Sequence, residues 1–218
     1  MDFIELATGP SPSASVIWLH GLGADGHDFE PIVPELRLPA SLPIRFIFPH
    51  APVRPVTLNG GMRMRAWYDI FRLDGGEEDE QGIRASQRLV EDLIEAQKKK
   101  GISTDRIVLA GFSQGGAIVL QTALRHPSRL AGVLALSTYL PLAQKLKAEA
   151  VEANRATPIF MAHGTYDDII PLARAEQSAK LLKEAGCPVE WHTYPMPHSV
   201  CAEEIAQIAA FLRRVLGG

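Results

Sequence analysis

Cysteine is scarce in this sequence. Only Cys187 and Cys201 occur in 218 residues, with neither a CxxC spacing nor a paired-histidine pattern, so nothing indicates a disulfide framework or a zinc site. Both thiols read as small apolar packing residues. Long apolar runs are missing too: no segment approaches the ~20 residues of a membrane-spanning helix. The opening MDFIELATGP carries an early acid and no apolar stretch of the kind a secretory leader needs. The expectation is a cytoplasmic protein with no stable membrane anchor. Charge of one sign is not concentrated either. Lysine plus arginine number 22 against 25 acids, for a net charge of −3, and KKK at 98–100 stands apart from otherwise scattered basic residues. A nucleic-acid partner needs a basic stripe, and none is present. Internal repeats and low-complexity linkers are also absent, which favours one domain over residues 1–218.

What is present is an alternation of short apolar runs and longer helical patterns. Strands are expected at SVIWLH (15–20), IRFIFP (44–49), RIVLAGF (106–112), GVLALS (132–137), PIFMAH (158–163) and PVEWHTY (188–194). Several are apolar on both faces, as strands in the middle of a parallel sheet are. Helices are expected over 80–99, from near Pro171 to Gly186, and at the carboxyl end, where Ile205, Ile208, Leu212 and Val215 share a face. This rhythm predicts an α/β fold: a mostly parallel central sheet with helices on both faces. Ligands of such sheets bind at the carboxyl ends of the strands. The connection from 50 to 79 is unusually long and rich in proline, glycine and charge. It is expected to form a wall of the substrate site; the competing reading is a surface excursion that merely packs Trp67, Tyr68 and Phe71 down as anchors.

LAGFSQGGA at 109–117 contains a G-x-S-x-G directly after an apolar strand and directly before a helical pattern. In that context Ser113 sits on a sharp strand-to-helix turn, its hydroxyl above the sheet at the positive end of a helix dipole. A serine needs a base. Of seven histidines, His126 and His192 read as structural or surface residues, and His27 and His50 lie in loops of unsuitable context. His20 and His163 end apolar strands before glycines and suit close packing beneath the site. His198, on the proline-stiffened loop YPMPHSV, suits a base. Its acid partner is sought in HGTYDDIIP, which offers Asp167 and Asp168 and preserves the chain order Ser, Asp, His of α/β-hydrolases. Asp69, Asp74 and Asp79 would break that order. Backbone N–H groups of Gln114 and, in the glycine-rich turn HGLG, of Leu22 are the expected oxyanion donors. A phosphate-loop reading of GLGADG lacks the acid about twenty residues on.

Taken together, VIWLHGLGADGHDF, FPHAPVRPVTLNGGMRMRAWYDI, GFSQGGA, LSTYLP, HGTYDDIIP and YPMPHS resemble the bacterial carboxylesterases related to acyl-protein thioesterases and lysophospholipases. The resemblance implies an α/β-hydrolase fold without a large cap domain and a Ser113–Asp167–His198 triad, since the acid is the fifth residue of the family's HGxxDxxVP pattern. It also implies oxyanion amides at Leu22 and Gln114, no metal or organic cofactor, and a homodimer. The activity expected is hydrolysis of short- to medium-chain carboxylic esters through an acyl-enzyme. An acyl-protein thioesterase or lysophospholipase is the alternative, and a non-catalytic binding protein on the same fold a distant one. A small-molecule ester or thioester is the expected partner. Leu58, Met62, Met64 and Trp67 are candidates for an acyl groove, with core or anchor packing the competing role for each. One departure stands out: Arg65-Ala66 precedes Trp67-Tyr68-Asp69 where the family commonly has Pro-Ser.

Overall fold

The computed structural model describes residues 1–72 and 76–217. Along the chain it forms β1 (Phe3–Ala7), β2 (Ala14–Leu19), α1 (Ile32–Glu35), β3 (Ile44–Pro49), β4 (Val53–Val56), β5 (Met62–Arg65) and α2 (Glu80–Lys99). Then follow β6 (Ile107–Phe112), α3 (Gln114–Ala123), β7 (Gly132–Leu136), α4 (Leu146–Glu149), β8 (Ile159–Gly164), α5 (Leu172–Glu184), β9 (Val189–Tyr194) and α6 (Ala202–Leu216). Among the described residues seven strands make one sheet in the order β1-β3-β2-β6-β7-β8-β9, and β4 and β5 pair separately. The main sheet is parallel except for β1, which runs antiparallel to β3 at the edge. No helix of the described residues is long and apolar enough to cross a membrane.

Strand alternation builds two cores. Ile17 and Leu19 of β2, Ile47 of β3 and Leu109 of β6 face one side, where they meet Ile83, Val90 and Ile94 of α2, Ile118 of α3 and Leu182 of α5. Val16, Trp18, Phe46, Phe48, Val108 and Ala110 face the other side and meet Ile32 and Val33 of α1 and Ile208, Phe211 and Leu212 of α6. A strand with apolar groups on both faces is what such a sandwich requires. The helix expected over 80–99 forms with those bounds. The Asp79 carboxylate accepts from the Gly82 N–H at 2.9 Å as its N-cap, and Lys98 and Lys99 lie in the last turn.

Two parts of the fold lie outside the expected strands. β1 buries only Ile4 and Leu6 partly and leaves Phe3 exposed, so its five residues lack the two-sided apolar signature of the inner strands. The long connection carries the β4–β5 hairpin, whose register runs from Val53 opposite Arg65 to Val56 opposite Met62. A four-residue strand that includes a proline, Val-Arg-Pro-Val, reads as a loop unless its partner is known.

Glu204, in the first turn of α6, is wholly buried. Burial pushes its carboxyl up to about 8, and the nearby Cys201 N–H, short of hydrogen-bonding geometry, offsets only part of this. The folded protein therefore holds a proton that the unfolded chain releases above its ordinary 4.5, and stability falls as pH rises from there through about 8. Glu204→Gln, which imitates the protonated acid, should be more stable than the wild type by a margin that grows from about pH 5 to about pH 8 and then levels off. Urea midpoints of both proteins across that range check this. A pH-independent margin would contradict it.

Candidate active site

Ser113 joins β6 to α3 with φ 54° and ψ −119°, a backbone conformation that non-glycine residues rarely adopt. Two close approaches hold it there. A Cβ on Gly111 would lie 2.4 Å from the backbone of Gly115, and one on Gly115 would lie 2.4 Å from the Leu19 carbonyl oxygen. Both glycines of G-x-S-x-G are thus required by packing, as expected from the motif. The Ser113 N–H donates to the Leu136 carbonyl at 2.9 Å, and the Thr138 hydroxyl donates to the Ser113 carbonyl at 2.7 Å. These two bonds fasten the turn to the end of β7.

Across the sheet, β8 and β9 continue as two loops fastened to each other. The N–H groups of Thr165 and Tyr166 donate to the carbonyls of Tyr194 (2.8 Å) and Met196 (3.1 Å). Any side chain on Gly164 would collide with the carbonyls of Met196 and Pro197, at 2.3 and 2.4 Å. The loops carrying Asp167 and His198 consequently meet. His198 Nδ1 lies 2.7 Å from Asp167 Oδ2, and the side chain of Asp167 is fully buried. The other oxygen, Oδ1, accepts the N–H groups of Ile169 and Ile170, each at 2.9 Å. A carboxylate can only accept here, so the proton of this bond sits on Nδ1 and Nε2 keeps its lone pair. The His198 ring packs on Phe112, centroids 4.7 Å apart, which sets the imidazole over the residue next to Ser113. Asp168 is exposed to solvent. Of the adjacent pair, Asp167 is the one that reaches His198.

The expected oxyanion loop lies against the same turn. A Cβ on Gly21 would be 3.5 Å from Ser113 Cβ. The Leu22 N–H donates to no group among the described residues, whereas the next N–H, of Gly23, is held by the Arg65 carbonyl at 2.9 Å. Gln114 is the first residue of α3, where a helix supplies no acceptor for the N–H. Beneath this loop His20 spans two backbone groups: Nδ1 donates to the Gly21 carbonyl at 2.7 Å and Nε2 accepts the Ala51 N–H at 3.0 Å. Both bonds are made at once only by the neutral ring, and burial pushes its pKa down accordingly.

The long connection is tied in by Trp67, and of the two roles open to that residue the structure takes the anchor. Trp67 is wholly buried within the core rather than lining a groove. Its indole N–H donates to the His20 carbonyl at 2.9 Å, and its backbone N–H donates to Gln114 Oε1 at 2.7 Å. Gln114 Nε2 completes the clamp on the Tyr68 carbonyl at 2.8 Å. Trp67 is therefore the anchor of the loop. Leu58 and Met62 are exposed, and Met64 is half-buried, its sulfur 3.8 Å from where a Gly23 Cβ would stand. The rival acids have other work. Asp69 receives the N–H and hydroxyl of Thr57, at 2.7 and 2.6 Å, and Asp79 caps α2. Asp74 lies outside the described residues. The side chain of Gln114 went unassigned in the sequence, because its partners lie 46 and 47 residues away; His20 was expected to pack beneath the site and does so, but its Ala51 partner, 31 residues away, was not legible.

The model of the phospholipase/carboxylesterase family matches residues 4–216. The chain is 46% identical over 211 residues to acyl-protein thioesterase 1 of Neurospora crassa, covering 92% of this chain and 86% of that protein. The structure superposes on Arabidopsis thaliana SOBER1 with a TM-score of 0.88 at 32% identity, over 93% of this chain and 99% of that one. Zea mays acyl-protein thioesterase 2 gives 0.88 at 28% identity, over 99% of both chains. These relatives are fungal and plant proteins, so the expected bacterial setting is not supported.

The Gln114 clamp has a measurable cost of removal. Gln114→Leu leaves the buried Trp67 N–H and Tyr68 carbonyl without partners and should destabilise the fold by roughly 2 to 5 kcal/mol. Urea unfolding reads this directly; a loss below about 1 kcal/mol would show that the long connection is anchored elsewhere.

Proposed function

The chain belongs to the phospholipase/carboxylesterase family of α/β-hydrolases, and from that starting point we propose that it is a serine hydrolase acting on acyl thioesters, S-acylated protein foremost, with carboxylic esters as further substrates. The observation that carries the reading is the 2.7 Å bond between His198 Nδ1 and a fully buried Asp167, formed at the same sheet edge as the strained turn of Ser113. The preference for thioesters over the short- to medium-chain esters expected from sequence rests on the 46% identity to a protein named acyl-protein thioesterase 1.

In this mechanism His198 Nε2 removes the Ser113 proton as Oγ attacks the acyl carbonyl. Asp167 keeps the second proton of the ring on Nδ1 and offsets the positive charge the imidazolium acquires. The oxyanion of the tetrahedral intermediate is received by the N–H groups of Leu22 and Gln114, each such donor typically contributing about 3 to 4 kcal/mol in the transition state. Collapse expels the thiol or alcohol, to which His198 returns the proton. A thiolate leaves more easily than an alkoxide, so proton return weighs less for a thioester. Water activated by the same histidine then releases the acid from Ser113. Leu58, Met62 and Met64, on and beside the β4–β5 hairpin, supply the apolar surface for the acyl chain.

A panel of p-nitrophenyl esters and matching acyl thioesters from acetate to palmitate tests the proposal. Turnover of the thioesters is expected, rising with chain length, with Ser113→Ala reducing it on the order of 10⁴-fold or more. Turnover confined to the shortest esters would return the reading to a small-ester carboxylesterase, and none on any substrate by folded protein would overturn the hydrolase reading.

A further inference from the structure

His163 ends β8 with its side chain wholly buried, and the reaction outlined above makes no use of it. Its Nε2 lies 2.8 Å from the Ile170 carbonyl oxygen and 3.2 Å from Asp167 Oδ2. Because a carbonyl only accepts, the ring carries its proton on Nε2. That N–H is directed at Ile170, with its positive end against the carboxylate. Ile170 is thereby held from both sides: its carbonyl accepts from His163, and its N–H donates to Asp167 Oδ1. The loop from 163 to 170 closes on itself through one histidine and one carboxylate.

We propose that His163 is a positioning residue for the Asp167–His198 pair: it locks the acid loop through Ile170 and sets, by its N–H dipole, how much charge Asp167 presents to His198. This rests on the hydrolase reading for its kinetic consequence but not for its electrostatic one. Burial pushes the His163 pKa down, favouring the neutral ring that its single N–H to Ile170 also fits. A neutral donor is the suitable partner there. A full positive charge at 3.2 Å would compete with the imidazolium of His198 for the same oxygen, whereas a dipole orients the carboxylate without cancelling it. The titratable groups felt by His163 are Asp167 and His198 of the pair and Glu176 on α5, and Trp191 of β9 stacks over it at 6.3 Å.

The test compares His163→Met with His163→Gln, two side chains of similar length that differ in having an N–H donor. Without the N–H dipole beside it, Asp167 binds the His198 imidazolium more strongly. In the methionine variant His198 should titrate higher by about half a unit or more, observed by NMR of ¹⁵N-histidine-labelled protein, and the acid limb of kcat/KM should move with it. The same variant should lose about 10-fold in kcat at nearly unchanged KM, the scale of one buried hydrogen bond. Glutamine should restore both toward the wild type. An unchanged His198 titration in the methionine variant overturns the proposal, as does a glutamine variant that shifts equally while keeping the wild-type melting temperature. If methionine prevents folding, glutamine alone decides: a titration displaced by half a unit or more counts against the proposal, and a retained one supports it. The titration needs no substrate, so a protein that hydrolyses nothing would remove the hydrolase reading and leave this inference standing or falling by itself.

Discussion

The turn at Ser113 is the constraint on which the rest of the structure depends. Its positive φ is unfavourable for a residue with a side chain, by about 1 to 3 kcal/mol, and it persists because backbone packs against backbone on every side. β2 passes so close to Gly115 that the carbonyls of Leu19 and His20 occupy the space of any Cβ, while β7 fastens the turn through Leu136. Strand order follows from the same contact. β2 and β7 flank β6, so the loop after β2, carrying Gly21 and Leu22, reaches the turn from one side, and the loops of β8 and β9 reach it from the other.

The residues of the site are held mainly by backbone. Asp167 takes two of its bonds from the N–H groups of Ile169 and Ile170, and the loop of His198 is fastened to that of Asp167 by two peptide bonds' worth of strand-like pairing. The loop of Gly21 and Leu22 is braced from below by His20 and from the side by Arg65. Arg65 belongs to the segment where this chain departs from its family's usual Pro-Ser. Its contribution is a carbonyl to Gly23 and a guanidinium bond to the Ala51 carbonyl at 2.9 Å. Two histidines, His20 and His163, do parallel work at the ends of two strands. Each is buried, and burial pushes the pKa of each down; His20 joins the Gly21 carbonyl and the Ala51 N–H, and His163 bonds the Ile170 carbonyl beside Asp167.

What could be read from the sequence was local. Two-sided apolar runs become inner strands, a lysine-terminated periodic segment becomes α2, and a G-x-S-x-G between strand and helix becomes the turn of Ser113. The order Ser, Asp, His placed Asp167 and His198 on one edge because parallel strands all end there. What could not be read depends on partners distant in the chain. β1 is a one-sided edge strand, and the β4–β5 hairpin is disguised by its prolines and arginines. The sequence left Trp67 between groove and anchor, because a tryptophan in a polar loop gives no sign that a glutamine 47 residues later will fix its backbone. His163 and Asp167 are four apart, but within a strand end and a turn that spacing carries no meaning until the loop is folded.

The central claim is that Ser113 is the activated nucleophile and that the Asp167–His198 bond activates it. Reaction with a long-chain alkyl fluorophosphonate, followed by mass analysis of the digested protein, tests this most directly. A single adduct is predicted, on the peptide containing Ser113, formed much more slowly in Asp167→Asn. An adduct on another residue, or equal labelling rates in the two proteins, would contradict the account.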